Sequence, residues 1–288
     1  MLQSESGRIE RKFDREQRAW DELYRRSDYG ARGIQWRQND AVSLCREYLH
    51  RNSRILDLGC GCGHASIALA QSGYRVVGID FSEVMIAQAR KNATVLEPNA
   101  DCTFKCVDFV EETNTLGSYN GLIALGFIEY FDDPVAVLRR MHSVLADRGI
   151  AVVQIWNSRP FADRVLSPVY DFCQELARPI QLLKKAAGVL AAASGVNNIG
   201  ENSSLPDDEF SSVKHRRYTP AELRAIAAEA GFDMVDALGS LFFPMKFFCD
   251  DDRRAKWDEQ LQKLAANYQS LRRQATNYIA VLRKNDVQ

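Results

Sequence analysis

Two hydrophobic rhythms take turns along the chain, one of period two and one near 3.6 residues, the periods of strands and helices. Residues 54–58 (RILDL) and 75–80 (RVVGID) are short and rich in β-branched side chains, as strands are. Between them ASIALAQSG has helical spacing and ends at Gly73, a suitable C-cap. Strand, helix, strand predicts a right-handed parallel unit. The rhythm continues with a helix over 82–92, strands over 103–108 and 120–127, a helix over 133–147 and a strand over 150–156. Asp133 and Pro134 supply an N-cap and a first-turn proline, and Gly149 follows the helix end. A further helix opens at Thr219-Pro220-Ala221-Glu222, where Thr and Glu form a capping box, and closes before Gly231; strands over 232–238 and 277–283 complete the series. The expected fold is α/β: a doubly wound, mostly parallel seven-stranded sheet whose ligand crevice lies at the carboxyl ends of the strands, where strand order reverses.

Two segments fall outside the alternation. Residues 1–50 form a charge-rich helical segment, and residues 158–215 form an insertion expected to be a helical cap. The core is thereby divided into a ligand-binding half, 51–157, and a C-terminal part, 216–288, with a helical insertion of its own. Phe13, Trp20 and Tyr24 are spaced seven and four apart and share one helical face, which either closes the ligand site or packs against another surface. The 158–215 segment is unusually apolar for a loop (Phe161, Leu166, Tyr170, Phe172, Ile180, Leu183), as is Leu241–Phe248. Capping a hydrophobic small-molecule substrate is the preferred use, with a homodimer surface and peripheral contact with lipid as the alternatives.

Composition narrows the partners. The 288 residues are 46% hydrophobic and 26% charged, and 37 Lys and Arg against 38 acids leave a formal charge of -1. That balance gives no general attraction for nucleic acid or an anionic membrane. The first twenty residues carry charge where a signal peptide needs an apolar stretch, and no run reaches the ~18 apolar residues of a membrane span, so a cytoplasmic protein is expected. Seven cysteines, an odd number without an export signal, read as reduced thiols. Cys60 and Cys62 alternate with glycines, and no His-rich segment completes a tetrahedral set, so no metal site is expected.

The chemistry concentrates at Asp57-Leu58-Gly59-Cys60-Gly61-Cys62-Gly63, after a strand and before a helix. Glycines there let the backbone turn sharply and approach a ligand closely. A dinucleotide fingerprint, G-x-G-x-x-G, would need glycine where His64 stands. The loop instead suits S-adenosylmethionine (SAM): Asp57 pairs with the methionine ammonium while loop amides meet the carboxylate. Asp80 ends the second strand, where a carboxylate accepts both ribose hydroxyls, with Phe81 and Met85 offering apolar surface beside adenine. Asp108 is placed to accept from the adenine amino group, and Phe109 or Val107 to flank the ring. Acids thus end three successive strands.

On these residues the chain resembles the class I SAM-dependent methyltransferases, over about residues 50–157 and 216–283. The resemblance implies cofactor contacts for Asp57, Gly59, Gly61, Gly63, Asp80 and Asp108. It also places the segment Gly126–Pro134 beside the transferable methyl group. That segment is similar to those of small-molecule methyltransferases of the ubiquinone-biosynthesis type, and it lacks the Asn/Asp-Pro-Pro-aromatic sequence of enzymes acting on exocyclic amines of bases. Candidate catalytic residues are His64, Glu129 and Tyr130; His50 and His142 read as structural, and the basic run around His215 reads as solvated surface. The expected activity is methylation of an oxygen, carboxylate or hydroxyl, on a hydrophobic small molecule or lipid-like metabolite. Nitrogen or carbon acceptors, or a catalytically silent SAM-binding partner subunit, are the alternatives; an aminopropyl transferase would want more acids near Glu129.

Overall fold

The computed structural model describes residues 2–97, 101–113, 116–158, 160, 215–242 and 250–285. Residues 161–214 of the expected cap and 243–249 of the second apolar stretch lie outside the described residues. Helices α1 (Leu2–Leu23) and α2 (Tyr29–Tyr48) lead into β1 (Arg54–Leu58), α3 (His64–Gln71), β2 (Arg75–Asp80), α4 (Glu83–Leu96), β3 (Cys102–Cys106) and α5 (Phe109–Glu112). Then follow β4 (Tyr119–Leu125), a 3-10 turn (Ile128–Tyr130), α6 (Pro134–Val144) and β5 (Leu145–Trp156). After the insertion come α7 (Pro220–Glu229), β6 (Phe232–Ser240), α8 (Asp251–Ala265), α9 (Gln269–Arg272) and β7 (Asn277–Lys284).

The seven strands form one sheet in the order β3-β2-β1-β4-β5-β7-β6. β1 to β5 run parallel, and β7 is antiparallel to both β5 and β6. The chain winds outward from β1 to β3, returns to β4 and winds outward the other way, so the order reverses between β1 and β4. This is the expected mostly parallel sheet, closed by an antiparallel strand that sequence periodicity does not distinguish.

Local chemistry explains the boundaries. Thr219 caps α7 through a complete capping box with Glu222, and Asp133 accepts from Ala136 N at 2.9 Å to start α6 with Pro134 in its first turn. α6 ends at Val144, three residues before the predicted end, because Leu145 already pairs with Tyr119 and Arg148 takes a left-handed turn (φ 57°) into the main run of β5.

Both sheet faces are covered. On one, Leu56, Leu122, Val153 and Leu282 pack with Leu138 and Met141 of α6 and Leu223 of α7. On the other, Ile55, Val76, Ile123 and Val152 meet Ala41 and Leu44 of α2 and Leu69 of α3. Burying each such aliphatic side chain contributes roughly 1.5–3 kcal/mol. The two layers hold β1 and β4 rigidly, and their carboxyl ends carry the site. Among the described residues no helix is long and apolar enough to cross a membrane.

Candidate functional site

The loop after β1 turns on three glycines of positive φ: Gly59 (65°), Gly61 (51°) and Gly63 (81°). A Cβ on Gly59 would lie 2.8 Å from the Phe127 ring, and one on Gly63 would lie 2.8 Å from Phe104 and 2.9 Å from the Ala89 methyl. Conformation and space therefore both demand glycine at these two positions. The loop is pinned by its own amides: Cys60 N donates to Ile79 O at 3.0 Å, Gly63 N to Cys60 O at 2.9 Å, and Gly61 N to Asp80 Oδ2 at 3.0 Å.

Around this loop lies a cavity of about 490 Å³ at the carboxyl ends of the strands. It brings together Asp57, Gly59, Gly61, His64, Asp80, Phe81, Met85, Asp108, Phe109, Gly126, Glu129 and Tyr130, every candidate residue from the sequence except Gly63, which lies behind it against Phe104 and Ala89.

The acids differ in setting. Asp57 is buried and accepts from Ser66 Oγ at 2.5 Å; burial first, then the neighbouring Asp80 charge, pushes its carboxyl up to about 7 against the pull of Ser66 and Arg37. Asp80 accepts from Gly61 N and, through Oδ1, from Ser82 N at 3.0 Å, and burial raises it above the usual carboxylate range. Asp108 caps α5, accepting from Val110 N at 2.8 Å, and so combines a structural role with a place in the cavity wall.

His64 is held. Its Nε2 lies 2.8 Å from Asp21 Oδ1, its ring stacks on Tyr24 at 4.1 Å and 15°, and burial lowers its pKa despite Asp21. Asn92 donates to the same Asp21 oxygen at 2.7 Å and to Cys62 O at 3.0 Å. With Ser82 Oγ donating to Asp14 at 2.5 Å, these contacts dock α1 across the loop. Phe13, Trp20 and Tyr24 accordingly line the cavity, the shared face anticipated from their spacing.

The far side is aromatic and acidic. Tyr130 meets Phe13 edge-on at 5.5 Å, and Phe127 packs on Phe131 at 5.0 Å. Burial raises the Tyr130 phenol to about 12. Glu129, only 2% exposed, accepts from Trp156 N at 2.5 Å, and burial pushes its carboxyl up to about 7 while Trp156, Arg37 and Arg217 pull it down. Its backbone carbonyl accepts from Arg216 N at 2.7 Å.

Sequence reasoning missed Arg37. It is a buried cation on α2, 8% exposed, lining the cavity. The signal was present: Ile34, Arg37, Ala41 and Leu44 recur at helical spacing, so Arg37 occupies a slot in an apolar stripe. Asp21 and Asn92 were missed as well; an acid in a charged helix and an Asn inside a helical pattern carry no distinguishing mark.

Residues 31–237 match the family model described as a methyltransferase domain. The ubiquinone biosynthesis O-methyltransferase of Pseudomonas aeruginosa is 26% identical over 193 residues, 67% of this chain and 69% of that protein. The protein YqeM of Bacillus subtilis is 29% identical over 148 residues, so half of this chain spans 55% of that relative. Among solved structures, the 1,6-didemethyltoxoflavin-N1-methyltransferase of Burkholderia thailandensis superposes with TM-score 0.59 at 15% identity, covering 99% of this chain and 91% of that one. The magnesium protoporphyrin IX methyltransferase of Synechocystis PCC 6803, solved with SAH, superposes with TM-score 0.55 at 18% identity, covering 92% and 93%. The chain belongs to the methyltransferase domain family, and its sheet is that of the class I SAM-dependent enzymes.

Proposed function

We propose that this protein is a SAM-dependent methyltransferase that acts on an oxygen of a hydrophobic small molecule. The observation that carries the reading is a single cavity with two ends of different chemistry: buried acids around a glycine loop at one, and Glu129 among aromatic rings beside Gly126 at the other. The donor set fits the cofactor. Asp57 is complementary to an ammonium, Asp80 has acceptor capacity beyond its two amide partners for a ribose diol, and Asp108 faces the cavity where an adenine amino group would donate. Bound SAM supplies an electrophilic methyl group on a sulfonium.

The chain's own residues align and shield the acceptor, a contribution worth several kcal/mol in methyl transfer. Phe13, Tyr130 and Phe131 supply aromatic, apolar surface suited to a hydrophobic acceptor. Of the three candidate bases, geometry favours Glu129. The His64 Nε2 is engaged by Asp21 on the cofactor side, and the Tyr130 phenol, at about 12, is too weakly acidic to be an anion at neutral pH. Glu129, near 7, retains Oε2 on the Gly126 side to take a proton from a hydroxyl acceptor. A carboxylate acceptor needs no base.

The relatives include an O-methyltransferase and an N1-methyltransferase, so the test is a panel. Incubation with methyl-labelled SAM and hydrophobic acids, phenols and amines should label a phenol or acid. Transfer only to RNA or protein would overturn the reading.

A further inference from the structure

The formal charge of -1 hides a segregation of charge on α1. Of the α1 side chains described, the exposed ones are Arg11, Arg15, Arg18, Ala19 and Glu22. The three arginines recur four and three residues apart, so they share one helical face. Asp14 and Asp21 are turned the other way, accepting from Ser82 Oγ at 2.5 Å and from Asn92 Nδ2 at 2.7 Å. The exposed acid, Glu22, pairs with Arg18 at 3.1 Å in solvent, where such a pair contributes little and yields readily to another anion.

The same two contacts lay α1 beside α4, running in the same direction, so the solvent faces of the two helices adjoin. α4 exposes Val84 (43%), Val95 (71%) and Leu96 (48%), three of the seven large apolar side chains that are exposed among the described residues. Val84, Lys91 and Val95 recur seven and four residues apart, so a cation stands between two valines on one face. Glu83, an exposed acid of α4, is taken by Arg90 at 3.3 Å. Cations beside projecting aliphatic side chains match the surface of an anionic bilayer: the arginines meet the charged headgroups and the valines enter the boundary with the acyl chains. A nucleic acid is bound through cations with aromatic or hydrogen-bonding partners for its bases, and the valines offer neither.

We infer that the joint face of α1 and α4 docks on an anionic lipid bilayer. The inference goes beyond the methyl-transfer reading and does not depend on it. α1 carries Ile9, Phe13 and Trp20 on its cavity side, and among the described residues it contributes nothing to the buried clusters of the sheet. In the docked protein one helix diameter, about 10 Å, therefore separates the bilayer from the cavity.

The test is flotation of the full chain with vesicles of phosphatidylcholine alone and of phosphatidylcholine mixed with phosphatidylserine. The wild type should float with the mixed vesicles, bind the neutral ones much more weakly, and be released as salt is raised. The combined variant Arg11→Gln, Arg15→Gln, Arg18→Gln should bind the mixed vesicles about 100-fold more weakly, at roughly fivefold per arginine. Val84→Ser with Val95→Ser should weaken binding by about 10-fold with the charge unchanged. All these positions are exposed, and circular dichroism checks that each variant is folded. Equal binding to the two kinds of vesicle, or either variant binding as the wild type does, would overturn the proposal. Retention by a random RNA without flotation would overturn it as well and assign the arginines to nucleic acid. Titration with S-adenosylhomocysteine (SAH) keeps the two readings apart: a protein that floats but does not bind SAH sinks the cofactor reading and leaves the docking face standing.

Discussion

The backbone N–H of Gly61 donates to Asp80 Oδ2 at 3.0 Å, so the glycine loop after β1 and the acid that ends β2 form one unit. Asp80 is therefore both a brace for the loop and a candidate ribose acceptor. Asp80→Ala should weaken SAH binding by about 10- to 100-fold, the range of a lost charge-assisted contact, with circular dichroism unchanged. Calorimetric affinity equal to wild type would show that the acid serves the loop alone.

Three glycines in one loop provide an internal control. Gly63→Ala places a methyl against Phe104 and Ala89 in a left-handed conformation, whereas the same substitution at Gly61 meets nothing within 4 Å and carries only the conformational strain. That strain is about 1–2 kcal/mol. Thermal unfolding should show Gly63→Ala lowering Tm by about 5 °C or more, and Gly61→Ala by clearly less. The reverse ranking would refute the packing described for Gly63.

Asp57 and Glu129 both titrate near 7, raised chiefly by burial. A carboxyl whose folded pKa exceeds its unfolded value holds its proton more tightly in the native state, so the stability it contributes is present below the unfolded pKa and is lost as pH rises through about 7. The ligand-free protein should therefore lose stability between about pH 4 and 7, on the order of 3–4 kcal/mol per group as an upper bound at ~1.4 kcal/mol per pKa unit. Glu129→Gln, which keeps an oxygen for Trp156 N, should flatten that slope in urea denaturation across pH; an unchanged slope would count against the burial effect.

With a hydroxyl acceptor, Glu129→Gln should reduce kcat by about 10²- to 10⁴-fold, the usual worth of a positioned base, and leave SAH affinity within a few-fold. The wild-type rate should climb with pH to a plateau above about 7 as the carboxyl ionises, and the variant should lack that limb. Tyr130→Phe, which keeps the ring against Phe13, should change kcat much less. A larger loss in Tyr130→Phe than in Glu129→Gln would move the proton-handling role to the phenol.

How far the sequence could be read depended on whether a residue's signal was local. Gly59, Gly61, Gly63, Asp57 and Asp80 lie on one strand-loop-helix-strand unit, so their spacing alone displayed the loop and its acids. The strands were legible for the same reason, although β7's antiparallel direction was not, since alternation of apolar residues has no polarity. Arg37 reaches the cavity from a helix that packs on the far part of the sheet, and the pairing of His64 with Asp21 joins residues 43 apart. Such partnerships exist only once the layers have assembled. The early stop of α6 has a similar origin: Leu145 has a strand neighbour in Tyr119 that no helical propensity along 133–147 could announce.

At the neck of the insertion, Asn157 and Tyr218 pair as a parallel bridge, Ser158 N donates to Tyr218 O at 3.0 Å, and Glu129 accepts from Trp156 N through its side chain and from Arg216 N through its backbone. The two chain ends that flank residues 159–214 are thus stitched to each other and to one wall residue before any part of that segment contributes. A neck closed in this way behaves as a socket. Chain of different length between Ser158 and His215 should therefore leave the register of β5 and the start of α7 in place, because both are held by bonds that the exchanged residues do not make.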